Sequence, residues 1–436
     1  MTKNKTAKTS TAPQAAPAWL ARMNVHRWYA ISGDHPDLGL SPTSRGMRYL
    51  IDNDPARDPT LNPARTMREW LRRRSGREPK AAWSGVVGFS AITEAWNGAV
   101  YASRSGASGS MIVFGGGHND YFGSDVHAFD LATRQWRRIS DGYIDGDDSE
   151  YGEGARYPNA EYPDGSPLPP HTYGYVQYDP IGNDYILFKG QTELGPNVKA
   201  VAIPHLFNLD TFTWRRGPRH DKAILSSGGF TTWDASRRVI WGHAGDDGGG
   251  NAFISFCPDF DERAGTFGHW GEMFPSKLPG VANGNAMQWH PKRDIIVVAV
   301  HAHDALFAID PAHPGRDIVP LESVGHKPPL QPFAAMECAP SIDRIVYFSP
   351  MDGGVVHLIA APNEDGPRAL TCPWTWQVCA LAAKSMNPIA DAARRSRFAV
   401  NRAHAFGRFR IASFDGTDVA ILVRHVDGPV YAMRLN

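Results

Sequence analysis

The chain has 436 residues, 42% of them hydrophobic, and its 45 Lys+Arg balance 45 Asp+Glu. A formal net charge of zero removes the electrostatic footprint of a protein whose main partner is a nucleic acid. No run approaches the roughly 18 apolar residues of a membrane-spanning helix, and the four cysteines, Cys257, Cys338, Cys372 and Cys379, include no CxxC pair, so free buried thiols are expected and not a disulfide framework.

Residues 1–17 (MTKNKTAKTSTAPQAAP) are polar, carry Lys3, Lys5 and Lys8, and lack the apolar core of a signal peptide. They read as a flexible tail, and the protein as one not exported by the general secretory route, placed in the cytoplasm or in a virion. Residues 24–32 (NVHRWYAIS) read as a lone strand carrying Trp28. Residues 34–90 form an insertion. Within it, residues 63–74 (PARTMREWLRRR) set Met67, Trp70 and Leu71 at i, i+3 and i+4, the pattern of a short Pro-started amphipathic helix.

From residue 98 onward a unit recurs. In residues 109–139 an apolar strand runs into three glycines; a loop follows, then an alternating strand, a turn, and a strand carrying Trp136. Related units occupy 184–216, 237–274, 293–320, 343–379 and 417–435, each preceded by a small apolar segment: 98–103, 173–179, 229–234, 286–290, 334–339 and 409–414. The 43 glycines and 34 prolines suit many short strands joined by turns. The last unit lacks its Trp-bearing outer strand, and the segment around Trp28 would supply it by pairing with residues 430–435. The expected fold is therefore an all-β, six-bladed β-propeller, or a seven-bladed one if residues 34–90 hide a degenerate blade. It spans residues 18–436 as one domain, with insertions at 34–90, 141–170 and 380–407.

Successive loops of a four-stranded blade alternate between faces. Loops joining second to third strands therefore share a face with loops leading into the innermost strands. The first set carries His118, Asn119, Asp120 and Tyr121, then Gln191, His243, His301 with His303, Asp352, and His425. The second carries His171 and Tyr173, His220, Asn283 and Asn285, His326, and Arg402 with His404. Imidazole serves as base, acid or metal ligand near neutral pH. His118 follows three glycines, which permit close approach of backbone and ligand, so it leads the candidates; His118, His243, His301 and His425 are expected around one end of the channel. His301 and His303 on a strand would share a face and could start a zinc site with His243 or His118. The acidic loop 141–154 could hold calcium, but Glu150 stands where an EF-hand needs glycine. No metal or other cofactor is firmly implied.

Residues 115–136 (GGGHNDYFGSDVHAFDLATRQW) resemble kelch repeats, the central propeller of galactose-oxidase-like proteins, and a set of uncharacterised bacterial and bacteriophage propeller proteins. A more distant similarity is to propeller polysaccharide lyases acting on uronic-acid glycans. The first resemblance implies a kelch-like propeller; no copper radical site is expected, because no cysteine precedes the first blade. Three functions follow. The first is a glycan-recognition propeller, such as a phage virion or tail-associated protein meeting a host surface. The second, implied by the lyases, is β-elimination with His118, Tyr121, His171 and Tyr173 as acid–base candidates and Arg402 on the uronate; Asn119, Asp120, Gln191, His243, His301, His303, Asp352 and His425 would bind ligand. The third is a protein-binding kelch scaffold.

Overall fold

The computed structural model describes residues 14–32, 36–39, 47, 91–94, 96–117, 123–140, 157–192, 200–221, 225, 228–243, 252–276, 278–279, 284–316, 318–390, 405, 407–426 and 428–436. These form a β-propeller of six small antiparallel sheets. Blade 1 runs outward from the axis through β2 (Ala99–Ala102), β3 (Ser110–Val113), β4 (Val126–Asp130) and β5 (Gln135–Ser140). Blade 2 comprises β6 (Val176–Asp179), β7 (Asp184–Leu187), β10 (His205–Asn208) and β11 (Thr213–Arg216), with the small pair β8 (Gly190–Gln191) and β9 (Ala200–Val201) in one of its loops. Blade 3 is β12 (Phe230–Asp234), β13 (Val239–His243), β14 (Ala252–Asp261) and β15 (Thr266–Pro275); blade 4 is β16 (Ala286–His290), β17 (Ile295–Val300), β18 (Ala305–Ile309) and β19 (Val319–Leu321). Blade 5 has β21 (Ala335–Ala339), β22 (Arg344–Phe348), β23 (Val356–Ala360) and β24 (Trp374–Cys379), with β20 (Ser323–Gly325) added in parallel outside.

Blade 6 closes the ring. Its inner strands β25 (Phe409–Phe414), β26 (Thr417–Val423) and β27 (Val430–Arg434) come from the C-terminus, and its outer strand β1 (Trp28–Ala30) from the N-terminus. Trp28 pairs with Met433, Tyr29 with Ala432 and Ala30 with Tyr431. The outer edge of β1 is covered in turn: Met386 N donates to the Trp28 carbonyl, and Ala382 N to that of His26. No bare edge is left at the seam. The polar N-terminal segment is docked by residue 14, because Gln14 donates to the Ser103 carbonyl and accepts from the Tyr101 hydroxyl.

The hairpins repeat one turn. Asp179, Asp234, Asn208 and Asp261 end their strands and accept from backbone amides two or three residues on. The turn then closes on a left-handed residue, Asn183, Arg238, Phe212 or Gly265. Each is an Asx turn, in which the Asp or Asn side chain takes up the amides of the bend.

The core is six separate clusters, one in each gap between neighbouring blades. Ile112 packs toward blade 2, with Val176 and Tyr185, while its neighbours Met111 and Val113 pack toward blade 6, with Ala412 and Ile421. Strands apolar on both faces follow directly, since each is sandwiched between two blades.

Candidate functional site

The loops leading into the six innermost strands are joined to one another by backbone hydrogen bonds. Tyr173 N donates to the Trp96 carbonyl, Gly174 N to Gly229, Gly284 N to Gly228, Phe333 N to Gly284, Ala405 N to Phe333, and Ala99 N to Gly407. Each bond crosses one blade boundary, and together they circle the axis. The annulus needs close approach. A Cβ on Gly229 would lie 1.6 Å from the Tyr175 hydroxyl oxygen, and one on Gly117 only 1.8 Å from the His171 ring. The glycine run ahead of His118 therefore has a structural use already: it lets that loop lie flat on His171.

Two side chains cap the channel at this annulus. Tyr173 and Phe333 belong to blades on opposite sides of the wheel, yet their rings stack at 6.4 Å between centroids and 25° between planes. Both residues hold positive φ, 45° and 58°. Left-handed backbone is unfavourable for a bulky aromatic residue, and strain of this kind concentrates at ligand sites. Beside them, Asn285 lines the same cavity and is 5% exposed. Its Oδ1 accepts from His301 N and lies 3.0 Å from His301 Nδ1, while its Nδ2 is buried without a hydrogen-bond partner among the described residues. Lys189, 5% exposed, places its ammonium 5.2 Å from the Tyr173 ring centroid and 5.8 Å from that of Tyr175, an arrangement that stabilises a buried cation. Below the mouth, Arg410 donates to the carbonyls of Ala99 and Val176 and pairs with Glu337, closing the channel to the other face.

The sequence candidates divide into those at the mouth and those used between blades. His171 adjoins Tyr173 but is 3% exposed, wedged against Trp96 at 4.8 Å and Tyr173 at 5.9 Å. Burial, aided by the charge of Lys189, pushes its pKa down to about 3, so the imidazole is neutral. His243 is fully buried, stacked on Phe230 at 5.1 Å with its Nε2 2.7 Å from the Ser276 hydroxyl. Gln191 is buried in the β8–β9 pair. Asp352 accepts from His357 at 2.8 Å, and His425 is 6% exposed. His301, Ala302 and His303 form a short 3-10 turn and not the expected strand; His301 is partly buried, with its pKa lowered by burial, and His303 is exposed. A β-strand would alternate faces and pair two residues apart, but the tight turn between β17 and β18 separates the imidazoles. None of His243, His301, His303 or His425 lines the channel cavity.

His118, Asn119, Asp120, Tyr121 and Arg402 lie outside the described residues, as do Asn283, His404 and the acidic loop 141–154. Among the described residues no three His, Cys, Asp or Glu side chains come together as a metal site. The four cysteines are free, and burial pushes the thiols of Cys338 and Cys379 up to about 12.

Lys189, Trp96 and Phe333 were not among the sequence candidates. Phe333 had a signal: Phe333-Ala334-Ala335 stands ahead of its innermost strand much as Tyr173-Gly174-Tyr175 does. Lys189 had a weaker one, a lone cation directly after the apolar run Tyr185–Phe188. No family model matches the chain, and no curated protein is similar enough to count as a relative.

Proposed function

We propose that the protein is a glycan-recognition propeller that holds its ligand over the loop-face mouth of the central channel. The observation that carries this reading is the strained aromatic pair Tyr173 and Phe333 beside the unsatisfied Asn285 amide. An aromatic face takes the C–H side of a sugar ring, and a buried donor left unpaired costs about 1–3 kcal/mol until a water or a ligand hydroxyl pairs with it. Lys189, the buried cation under Tyr173, adds a preference for acidic sugars over neutral ones at this mouth.

Binding is favoured over β-elimination. The one described acid–base candidate beside Tyr173 is His171, and it is neutral and enclosed on three sides by Trp96, Tyr173 and the Gly117 backbone. A general base must reach the proton that it abstracts. A protein-binding scaffold has less support. The exposed large apolar residues among those described include Ile181 and Phe212 on two turns of blade 2, Phe260 near the end of a blade 3 strand and Met351 in a blade 5 loop, so they are divided among three blades.

A glycan microarray, followed by calorimetric titration of the hits, tests the proposal. The parent should bind acidic glycans, and Phe333→Ala and Asn285→Ala should each weaken that binding by about tenfold or more with unchanged melting. A parent that binds nothing on the array, or variants that bind like the parent, would overturn it.

A further inference from the structure

The other end of the channel is a separate chamber. Beyond the Arg410–Glu337 pair a vestibule with a cavity volume of ≈ 290 Å³ lies on the hairpin face, at the lower end of the usual size of small-molecule sites. Tyr101, Tyr178, Trp233 and Trp289 stand in its wall, one from each of the first four blades. They occupy one position of the repeat, the last but one residue of each innermost strand. A ring at that position in four successive blades forms a collar around the axis. At the equivalent place blade 5 has Cys338.

The polar groups of this wall are neutral in sum. Among the described residues its only charged side chains are Arg410 and Glu337, which pair with each other. Arg410 is further committed to the carbonyls of Ala99 and Val176. Gln177 spends its amide nitrogen on Thr231, and Gln288 donates to the Trp289 carbonyl, which leaves two amide oxygens as acceptors. The Trp233 indole nitrogen is a buried donor with no hydrogen-bond partner among the described residues.

We propose that this vestibule is a second binding site, independent of the loop face, for a neutral sugar ring. Flat aromatic walls accept the C–H faces of a pyranose. Its hydroxyls match two amide acceptors and an indole donor. An anion would find no uncommitted cation, and a cation no free carboxylate.

Saturation-transfer NMR on the full-length protein tests the inference, with methyl glucoside, methyl galactoside, methyl N-acetylglucosaminide, methyl glucuronoside and adenosine as probes. In the Phe333→Ala protein, whose loop-face site is disabled, at least one neutral glycoside should receive saturation more strongly than the glucuronoside or adenosine. Its affinity should fall by about tenfold in Trp233→Ala and in Gln288→Ala, and should not change in Phe333→Ala at the other end. Gln288 is partly exposed and its hydrogen bond is local, so that variant decides the matter if Trp233→Ala melts early. The inference fails if no neutral glycoside binds, if in the Phe333→Ala protein the glucuronoside or adenosine binds as well or better, or if binding survives in Gln288→Ala. Failure here leaves the loop-face reading untouched, because Phe333→Ala reports that end alone.

Discussion

Ring closure by β1 should be expensive to remove, and Trp28→Ala probes it. Trp28 is fully buried between blades 5 and 6, edge-on to Phe348 at 6.0 Å and Phe409 at 6.5 Å. Its indole nitrogen donates to the Gly354 carbonyl at 2.8 Å. Truncating a buried Trp costs about 3–5 kcal/mol, part as lost transfer energy and part as cavity. Trp28→Phe keeps most of the ring and loses that hydrogen bond, so it should cost less, about 1–2 kcal/mol. Urea unfolding followed by circular dichroism measures both. Since β1 is the only strand of blade 6 from the N-terminus, the Ala variant should also loosen the seam and expose the edge of β27, seen as concentration-dependent aggregation. A cost for Trp28→Ala below about 1 kcal/mol, or equal costs for the two variants, would refute the account of closure.

Removing residues 1–17 should lower stability by about 1–3 kcal/mol, because Gln14 and Ala15 hydrogen-bond to blade 1; an unchanged unfolding midpoint would contradict this. Stability should also fall on acidification below neutrality. Burial holds the pKa values of His171 and His205 at about 3 and of His290 at about 4, below the ordinary 6.5. Their contribution is whole above pH 6.5 and is lost as pH falls toward 3–4, at up to about 1.4 kcal/mol per unit for each histidine. Chemical unfolding at pH 7.5 and pH 5 measures it, and a stability that does not change would refute it. Finally, Arg410→Met leaves Glu337 buried opposite an apolar side chain and should cost about 3–5 kcal/mol, while Arg410→Met with Glu337→Leu should recover much of the loss; a double variant no better than the single would contradict the ion-pair reasoning.

The architecture was legible because a repeated unit in the sequence encodes it. Short apolar runs bounded by turns mark strands pressed between blades, since Ile112 faces one neighbour and Val113 the other. The recurring succession of strand, glycines, strand, turn and Trp-bearing strand marks blades, and the missing outer strand of the last unit points to Trp28. The site was less legible. Histidines at matched places suggested shared chemistry, but His243 fills a gap between blades and His301 braces Asn285. A buried neutral imidazole satisfies a turn as well as it serves a ligand. The annulus that positions Tyr173 and Phe333 is made of backbone groups, which leave no trace in side-chain patterns beyond glycines. Stacking of two residues 160 positions apart depends on wheel geometry, which local pattern does not supply.

The central functional claim is that the loop-face mouth binds glycan and does not cut it. The most direct measurement takes the best acidic glycan from the array and incubates it with stoichiometric protein, watching absorbance near 235 nm while binding is titrated in parallel. The account predicts saturable binding that is lost in Asn285→Ala, with no rise in absorbance over many hours. Growth of the unsaturated product, abolished by Tyr173→Phe, would contradict it and place a lyase at the same mouth.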